Sequence, residues 1–598
     1  MLLQTKQIAK EYCPVNIRIA IMSWIGIALF VVGQLPAQTA DTVFTGGKVY
    51  TVDEAKPWAE VVAVKDNKIV FVGSAADSKK HIGDNTKVID CAGKTVLPGF
   101  VSAHDHLIAS NWTSDGVSLL DVKSKEDCLA KIKEYAEANP ELKVIKGIGW
   151  NAGNFGGVYP TAKELDTAVP NRPAIILDYT IHDAWLNSKA FEIGNVTKDT
   201  PDILPGVTFW KRDDDGNPSG CAIELQWMKT YIDIGAWDPE TMIRASTDKL
   251  FGIAVANGTT TFLNPGIVTP NIKDTHGGME TDFKAAMKML ADDEKNGKLN
   301  LRVVALPMFK SADADPQRFV DFAVEMSKIY NSDQLRVQSV KIHPEGNWTA
   351  GVAPFLEPYK HKDSKGAFNV KPEVTKAIFM AANKAGLDVV IHTDGDASTR
   401  AAVDACEAAM KAGYTDARNV LHHLINCHPD DFQRIVDMKI PVNSTPSFTT
   451  DWTGQRKQAF EMLGRDRVEK GMGRYPDIAR AGNRVSISAD VPSTSPSMQA
   501  PLFCIEAAVT MMEPSDQGTS KPFPPGRKGM SVEQAIRAMT IDAAWQLRME
   551  DKIGSLEVGK LADIVVLNEN PFEVDPLQLE EITVHKTMMD GKFTYEQK

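Results

Sequence analysis

Six side chains in this sequence are of metal-ligand or proton-transfer type and sit where short apolar runs end. His104 and His106 close the run PGFVSA, and Lys341 lies near the end of QSVKI. His392 follows DVVI, His423 follows NVLH, and Asp490 follows VSISA. In an extended segment residues i and i+2 point the same way, so His104 and His106 can face one ion. One His-x-His pair is weak evidence, but ligand-type residues at five separate run ends are a pattern. No HExxH, GxSxG or phosphate-binding P-loop motif competes with it. The chemistry indicated is binding of a divalent metal.

These residues must be held by strands whose ends converge. Strands are expected at 99–104, 259–264, 301–307, 338–343, 387–392, 418–423, 439–444 and 484–489, with helical periodicity between many of them, as at 372–385 and 398–412. Eight strands in a βα rhythm are the count of an α/β (β/α)8 TIM barrel over 99–552, a fold that places its catalytic groups at the C-terminal strand ends. About 150 residues separate the first two strands, far more than a βα loop needs, so 108–250 is expected to be an insertion subdomain opening from the catalytic face. Residues 41–98 and 553–598 both read as short β runs with turns at Asp66-Asn67 and Asp590-Gly591. Neither end has the apolar content to fold alone, so one composite β-sandwich from both chain ends is expected.

The first forty residues read differently. Lys6, Lys10 and Arg18 precede an uncharged stretch, Ile19 to Gly33, and Pro36, Ala37 and Ala40 follow. This is the layout of a signal peptide, 1–40, with cleavage after Ala37 or Ala40 and a periplasmic or secreted product. Removing it would take the net charge from −12 to −14. An acidic chain with 43% hydrophobic and 24% charged residues is ordinary globular material and argues against a nucleic-acid binder. The seven cysteines are sparse and contain no CxxC, which excludes a cysteine-rich metal site or a disulfide-built scaffold.

The segments KVIDCAGKTVLPGFVSAHDHL (87–107), HDAWLNSKAF (182–191), GNPSGCAIE (216–224), VKIHPEGNWTAGVAPFLEPY (340–359), VVIHTDGDAST (389–399), NSTPSF (443–448), ISADVPSTSP (487–496) and the run SVEQAIRAMTIDAAWQL to IGSLEVGKLADIVVL (531–567) resemble the amidohydrolase superfamily. The resemblance is to its YtcJ-like branch, the amidohydrolase 3 group that holds the N-substituted formamide deformylases. It implies two divalent ions, zinc by default with iron or manganese as alternatives. His104, His106 and Asp490 would hold the more buried ion, and His392 and His423 the other. Lys341, carboxylated, would bridge them, because a carbamate is an anionic two-oxygen ligand where an ammonium would repel metals. A mononuclear site on His104, His106, His392 and Asp490, with Lys341 an ordinary cation, is the local alternative.

The implied reaction is hydrolysis of a non-peptide C–N bond, an amide or an N-formyl or N-acyl group, by a metal-activated hydroxide. Asp490 would accept the proton and deliver it to the leaving nitrogen, and a metal, or His422 and His423, would stabilise the oxyanion. Other chemistry of the superfamily, that of a dipeptidase, deaminase, lactonase or isomerase, is the alternative; a non-catalytic metal-binding protein is a more distant one. The resemblance also marks Trp150, Asn151, Phe155, His182, Trp185 and Asn187 of the insertion as pocket candidates, with Glu345, Trp348 and Trp452 after strands four and seven. The expected partners are a small amide-like substrate and, in a homodimer, a second copy; no nucleic acid and no stable membrane insertion after leader removal are expected. Three places depart from the family pattern: His422 stands where an acidic residue is usual, Glu345-Gly346 where Asp-Gly is usual, and Thr393 to Thr399 replaces an acidic and arginine-bearing stretch.

Overall fold

The computed structural model describes residues 38–108, 115–179, 181, 183–203, 205, 208–272, 274–451, 455–491, 499–514 and 521–598. Strands and helices alternate through most of the chain. No helix among the described residues is long and apolar enough to cross a membrane.

The strands that carry the candidate ligands lie close to the expected positions. We number them along this unit: β1 (Phe100–Ser102), β2 (Thr259–Asn264), β3 (Arg302–Ala305), β4 (Ser339–Ile342), β5 (Asp388–Thr393), β6 (Val420–His423), β7 (Val442–Ser444) and β8 (Val485–Ile487). All are buried along their length, as parallel strands covered by helices must be. They pair in parallel as two sheets. One joins β1, β2, β3 and the short strand Leu335–Arg336; the other joins Met308–Phe309 and β4 to β8 in chain order. A single closed eight-stranded ladder was expected, and the pairing is interrupted instead. Pro307, between β3 and Met308–Phe309, has no amide to donate to a ladder, and Lys341 N donates to its carbonyl at 2.9 Å. On the far side Asp490 N donates to His104 O at 3.1 Å and His106 N to Val491 O at 2.8 Å, tying the segment beyond β8 to the one beyond β1.

Both chain ends contribute to one pair of sheets. Thr42–Thr45, Val61–Lys65, Lys68–Gly73 and Lys87–Asp90 form one; Lys48–Tyr50, Trp58–Ala59 and Thr95–Pro98 join Ile564–Leu567, Val584–Met589 and Lys592–Glu596 in the other. Leu97 stands opposite Val565 in the antiparallel register that joins the ends. Phe44, Val62 and Val64 of the first sheet share a core with Val49, Val96, Ile564 and Val566 of the second. Asp590 and Gly591 both have positive φ, as a two-residue type I′ hairpin requires. This unit is tied to β3 by the buried Arg302, which binds Asp563 at 3.1 Å and Asp590 at 3.0 Å. Ala40 is buried and its amide donates to His81 O, while His81 Nδ1 meets Gln38 O at 2.9 Å. A leader ending at Ala40 would cut into this packing, whereas one ending at Ala37 would leave it whole.

The insertion has its own six-stranded sheet, ordered Trp210–Arg212, Pro218–Ala222, Ala184–Leu186, Ala174–Asp178, Ile145–Trp150 and Val117–Ser118. Separate cores lie around Trp150 and Trp185 and around Trp210 and Trp227. The expected end at residue 250 falls inside the helix Pro239–Ala256, whose Ile243, Leu250, Phe251 and Ala254 pack in the main core with β2. That helix therefore belongs with the parallel strands.

Candidate metal centre

The site begins where β1 and β2 run close together. Gly99 is required there, because a Cβ would lie 2.3 Å from Thr260 Cγ2. Beyond β1 the alternation holds. His104 Nε2 and His106 Nε2 both approach Asp490 Oδ1, at 3.3 and 3.4 Å. Asp105 is engaged elsewhere, accepting from Ser102 Oγ at 2.5 Å and from Val491 N at 3.0 Å. Those two bonds fix the end of β1 against the segment after β8. His106 Nδ1 lies 2.7 Å from Gly266 O. A carbonyl only accepts, so that nitrogen carries the proton and Nε2 presents a lone pair to the site.

From the other side β6 brings His423, whose Nδ1 lies 3.3 Å from Thr445 Oγ1 and whose Nε2 lies 4.0 Å from Asp490 Oδ2. Its ring stacks on Phe448. His392, at the end of β5, has its ring centroid 4.7 Å from that of His423 and stacks on His343 at 4.2 Å. Lys341 is 1% exposed, and its Nζ has no hydrogen-bond partner. His423 and Asp490 have φ of 69° and 57°, left-handed backbone that costs energy in a side-chain-bearing residue. Such strain clusters at functional sites.

Burial depresses the proton affinity of His104, His106, His343, His392, His422 and His423, and the nearby Lys341 adds to the effect for each, while Asp490 opposes it for His106 and His423. These imidazoles are therefore neutral near pH 7, and their approach to Asp490 is no ion pair. Asp490 Oδ1 has no hydrogen bond, nor has His392 Nε2. Leaving such atoms buried and unsatisfied is costly. The spacing gives the reason. Ligands about 2.0–2.1 Å from a tetrahedral ion stand roughly 3.3 Å from one another, and His104 and His106 hold that separation from Asp490 Oδ1. Ligand atoms of His104, His423 and Asp490 all fall within 4.8 Å of each other. The donor set fits a divalent cation.

Lys341 is brought down to about 7 by burial, so a large fraction of its amine is neutral at physiological pH. Asp105 is pushed up to about 7, again by burial first. The histidine shifts have a consequence for metal binding. At pH 6.0 a histidine of ordinary pKa is roughly three-quarters protonated and competes with a metal. Because these residues hold their protons less tightly than that, zinc affinity measured by chelator competition should stay level from pH 7.5 to 6.0 in Lys341→Met, which lacks the amine brought down to about 7. A fall centred near pH 6.5 would show that the ligands are not the buried histidines.

Several expected site residues lie elsewhere. His422 is fully buried, and its two ring nitrogens contact His104 and Gln546, so it lies beneath the cluster and is not placed to meet an oxyanion. Asn187 is fully buried. It accepts from the amides of Ala174 and Ala190 and donates to Val169 O and Arg172 O, which leaves it no part in a pocket. Trp150 and Trp185 donate to Ile176 O and Thr161 O inside the insertion core, Phe155 packs beside both, and Asn151 caps Ala152–Phe155. Glu345 accepts from Asp394 N, Gly395 N and Ser398 Oγ, bracing the segment after β4 against the one after β5. Trp348 is buried with Phe355, Tyr359 and Ile425, and its amide donates to Asp394. His182 and Trp452 lie outside the described residues. Sequence reasoning missed His343, although its i+2 spacing from Lys341 was a usable signal. It also missed Gln546, which had none.

With the geometry in place, comparison with known proteins is informative. The model of the amidohydrolase family matches residues 87–595. The N-substituted formamide deformylase of Arthrobacter pascens is 25% identical over 591 residues, covering 94% of this chain and 99% of that protein. Protein LONG AFTER FAR-RED 3 of Arabidopsis thaliana is 27% identical over 539 residues, covering 89% of this chain and 88% of that one. Among solved structures, an uncharacterized metal-dependent hydrolase from Pyrococcus horikoshii superposes with a TM-score of 0.70 at 22% identity, over 90% of this chain and 99% of the other. At that identity the agreement is one of fold.

Proposed function

The chain belongs to the amidohydrolase family, and from that premise we propose that it is a metal-dependent hydrolase of an amide, N-formyl or N-acyl C–N bond. The observation that carries this reading is the pair of neutral imidazoles at ligand spacing from the unpartnered Asp490 Oδ1. The likeness to a formamide deformylase along nearly its whole length supports the choice of bond.

We assign His104, His106 and Asp490 to one ion and His392 and His423 to a second, with a carboxylated Lys341 that would be shared by both. Zinc ions bound there would polarise the scissile carbonyl and lower the pKa of water toward neutrality. Lys341 can be carboxylated because burial keeps much of its amine neutral; the amine adds to CO2, a C–N bond forms, and one proton leaves. Asp490, whose Oδ2 lies 4.0 Å from His423 Nε2, would take the proton of the attacking water and pass it to the departing nitrogen. That delivery matters because an amide anion is a very poor leaving group. Because His423 is itself assigned to an ion, with its Nδ1 engaged by Thr445 Oγ1, stabilisation of a developing oxyanion would fall to the metal.

The grouping of His104, His423 and Asp490 around one point favours a second, one-metal reading, in which Lys341 remains an amine. Export of the chain to the periplasm or medium is part of the same proposal, supported by the basic start and the uncharged run Ile19–Gly33. The test of function is a screen of N-formyl and N-acyl amines with zinc-supplied protein, following release of free amine. Turnover of these compounds is expected. No turnover of any of them, with hydrolysis of dipeptides, cyclic amidines or lactones instead, would overturn the choice of bond.

A further inference from the structure

Beneath the cluster lies a chain of polar side chains that the reaction itself does not use. His422 Nδ1 contacts His104 Nδ1, and His422 Nε2 lies 2.9 Å from Gln546 Nε2, on a residue 124 positions further along the chain. Gln546 ends the helix Ile541–Gln546 and is 4% exposed. Its Oε1 accepts from Ser486 Oγ at 2.6 Å, and its Nε2 also lies 3.4 Å from Ala103 O. Ser486 Oγ in turn accepts from Asn443 Nδ2 at 3.0 Å.

These contacts set the direction of the chain. With Nε2 of Gln546 facing a carbonyl and an imidazole, the amide donates to His422 Nε2. The His422 proton then sits on Nδ1 and donates to His104 Nδ1, so His104 carries its own proton on Nε2, toward Asp490. A histidine that binds metal through Nε2 needs the opposite tautomer.

We propose that Gln546 is a positioning residue which, through His422, controls how well His104 serves as a metal ligand. When His104 Nε2 takes a metal, its proton is carried on Nδ1 and donates to His422 Nδ1. His422 then carries its proton on Nε2 and donates to Gln546, whose amide turns to present Oε1. His104 Nε2 gives up its proton as the metal binds, His422 Nδ1 passes its own across to His104 Nδ1, and His422 Nε2 takes one up from solvent, so each ring bears one N–H before and after. An amide can serve both directions because it both donates and accepts. A carboxylate can serve only the metal-bound one.

This inference rests on the reading of His104 as a ligand, and the experiment separates the two. Zinc affinity is measured by chelator competition on the wild type, Gln546→Leu and Gln546→Glu, with thermal melting as the control for folding. Gln546→Leu should lose about 10–100-fold in zinc affinity, the usual cost of removing a group that orients a ligand. Gln546→Glu, an acceptor in the metal-bound direction, should bind zinc at least as tightly as the wild type. A residue that only fills space would shift melting in both variants and leave the affinity of the folded protein alone. Wild-type affinity in Gln546→Leu, or equal weakness in both variants, would overturn the relay while leaving the metal centre standing. Absence of zinc from the wild type would overturn both. If Gln546→Leu does not fold, Gln546→Asn draws the amide back by one methylene and should show the same loss.

Discussion

Asp490→Asn should reduce kcat by at least about 10²–10⁴-fold, the range for loss of a positioned acid–base group, while the fold survives. The substitution is close to isosteric. Asn also tolerates the left-handed backbone that Asp490 adopts, at φ 57°, as well as Asp does. The amide N of residue 490 and its bond to His104 O are untouched, so the link between the ends of β8 and β1 remains. What is lost is the negative charge beside three histidines and the capacity to hold a proton between attack and departure of the nitrogen. Because Asp490 is also assigned as a ligand, kcat must be read at saturating zinc, with bound metal measured alongside. Retained turnover within tenfold of wild type would remove Asp490 from the proton path.

Lys341→Met separates the two-metal from the one-metal reading. Methionine fills nearly the same buried volume and carries no amine to carboxylate. In the two-metal reading the zinc content falls from two per chain to one. Turnover falls by about 10²-fold or more, since a Lewis-acid contact is worth several kcal/mol. In the one-metal reading the zinc content is unchanged. The melting temperature should hold or rise, because the variant removes a buried Nζ that has no hydrogen-bond partner. A metal count unaffected by the variant would end the assignment of Lys341 as a bridge.

The grouping of candidate ligands was legible in the sequence for a specific physical reason. Strands buried on both faces read as unbroken apolar runs, and a ligand at the end of such a run, as at DVVI before His392 or VSISA before Asp490, interrupts it visibly. The same logic located all eight strands, because turn and helix signals bounded each one. The insertion was less readable. Trp150 and Trp185 look alike as pocket walls or as core, and only the partners of their indole nitrogens show that they are core. Asn187 is no pocket group, and its type and position alone do not show it: its four hydrogen bonds reach backbone groups in the stretch 169–174 and in the helix it caps. His422 adjoins His423 in the chain but does not share its face. Neighbours on a strand point to opposite sides, and the left-handed turn at His423 separates the two further. Gln546 depends on how a distant helix docks under β6 and β8, and no local pattern encodes that.

The most direct test of the central claim is elemental analysis of the purified chain after supply of zinc and bicarbonate and removal of loosely held metal, set beside His104→Ala and Asp490→Ala. The expected result is at least one tightly bound zinc per wild-type chain, two in the two-metal reading, with a marked loss in both variants. A folded wild type that retains no zinc, iron or manganese would contradict it.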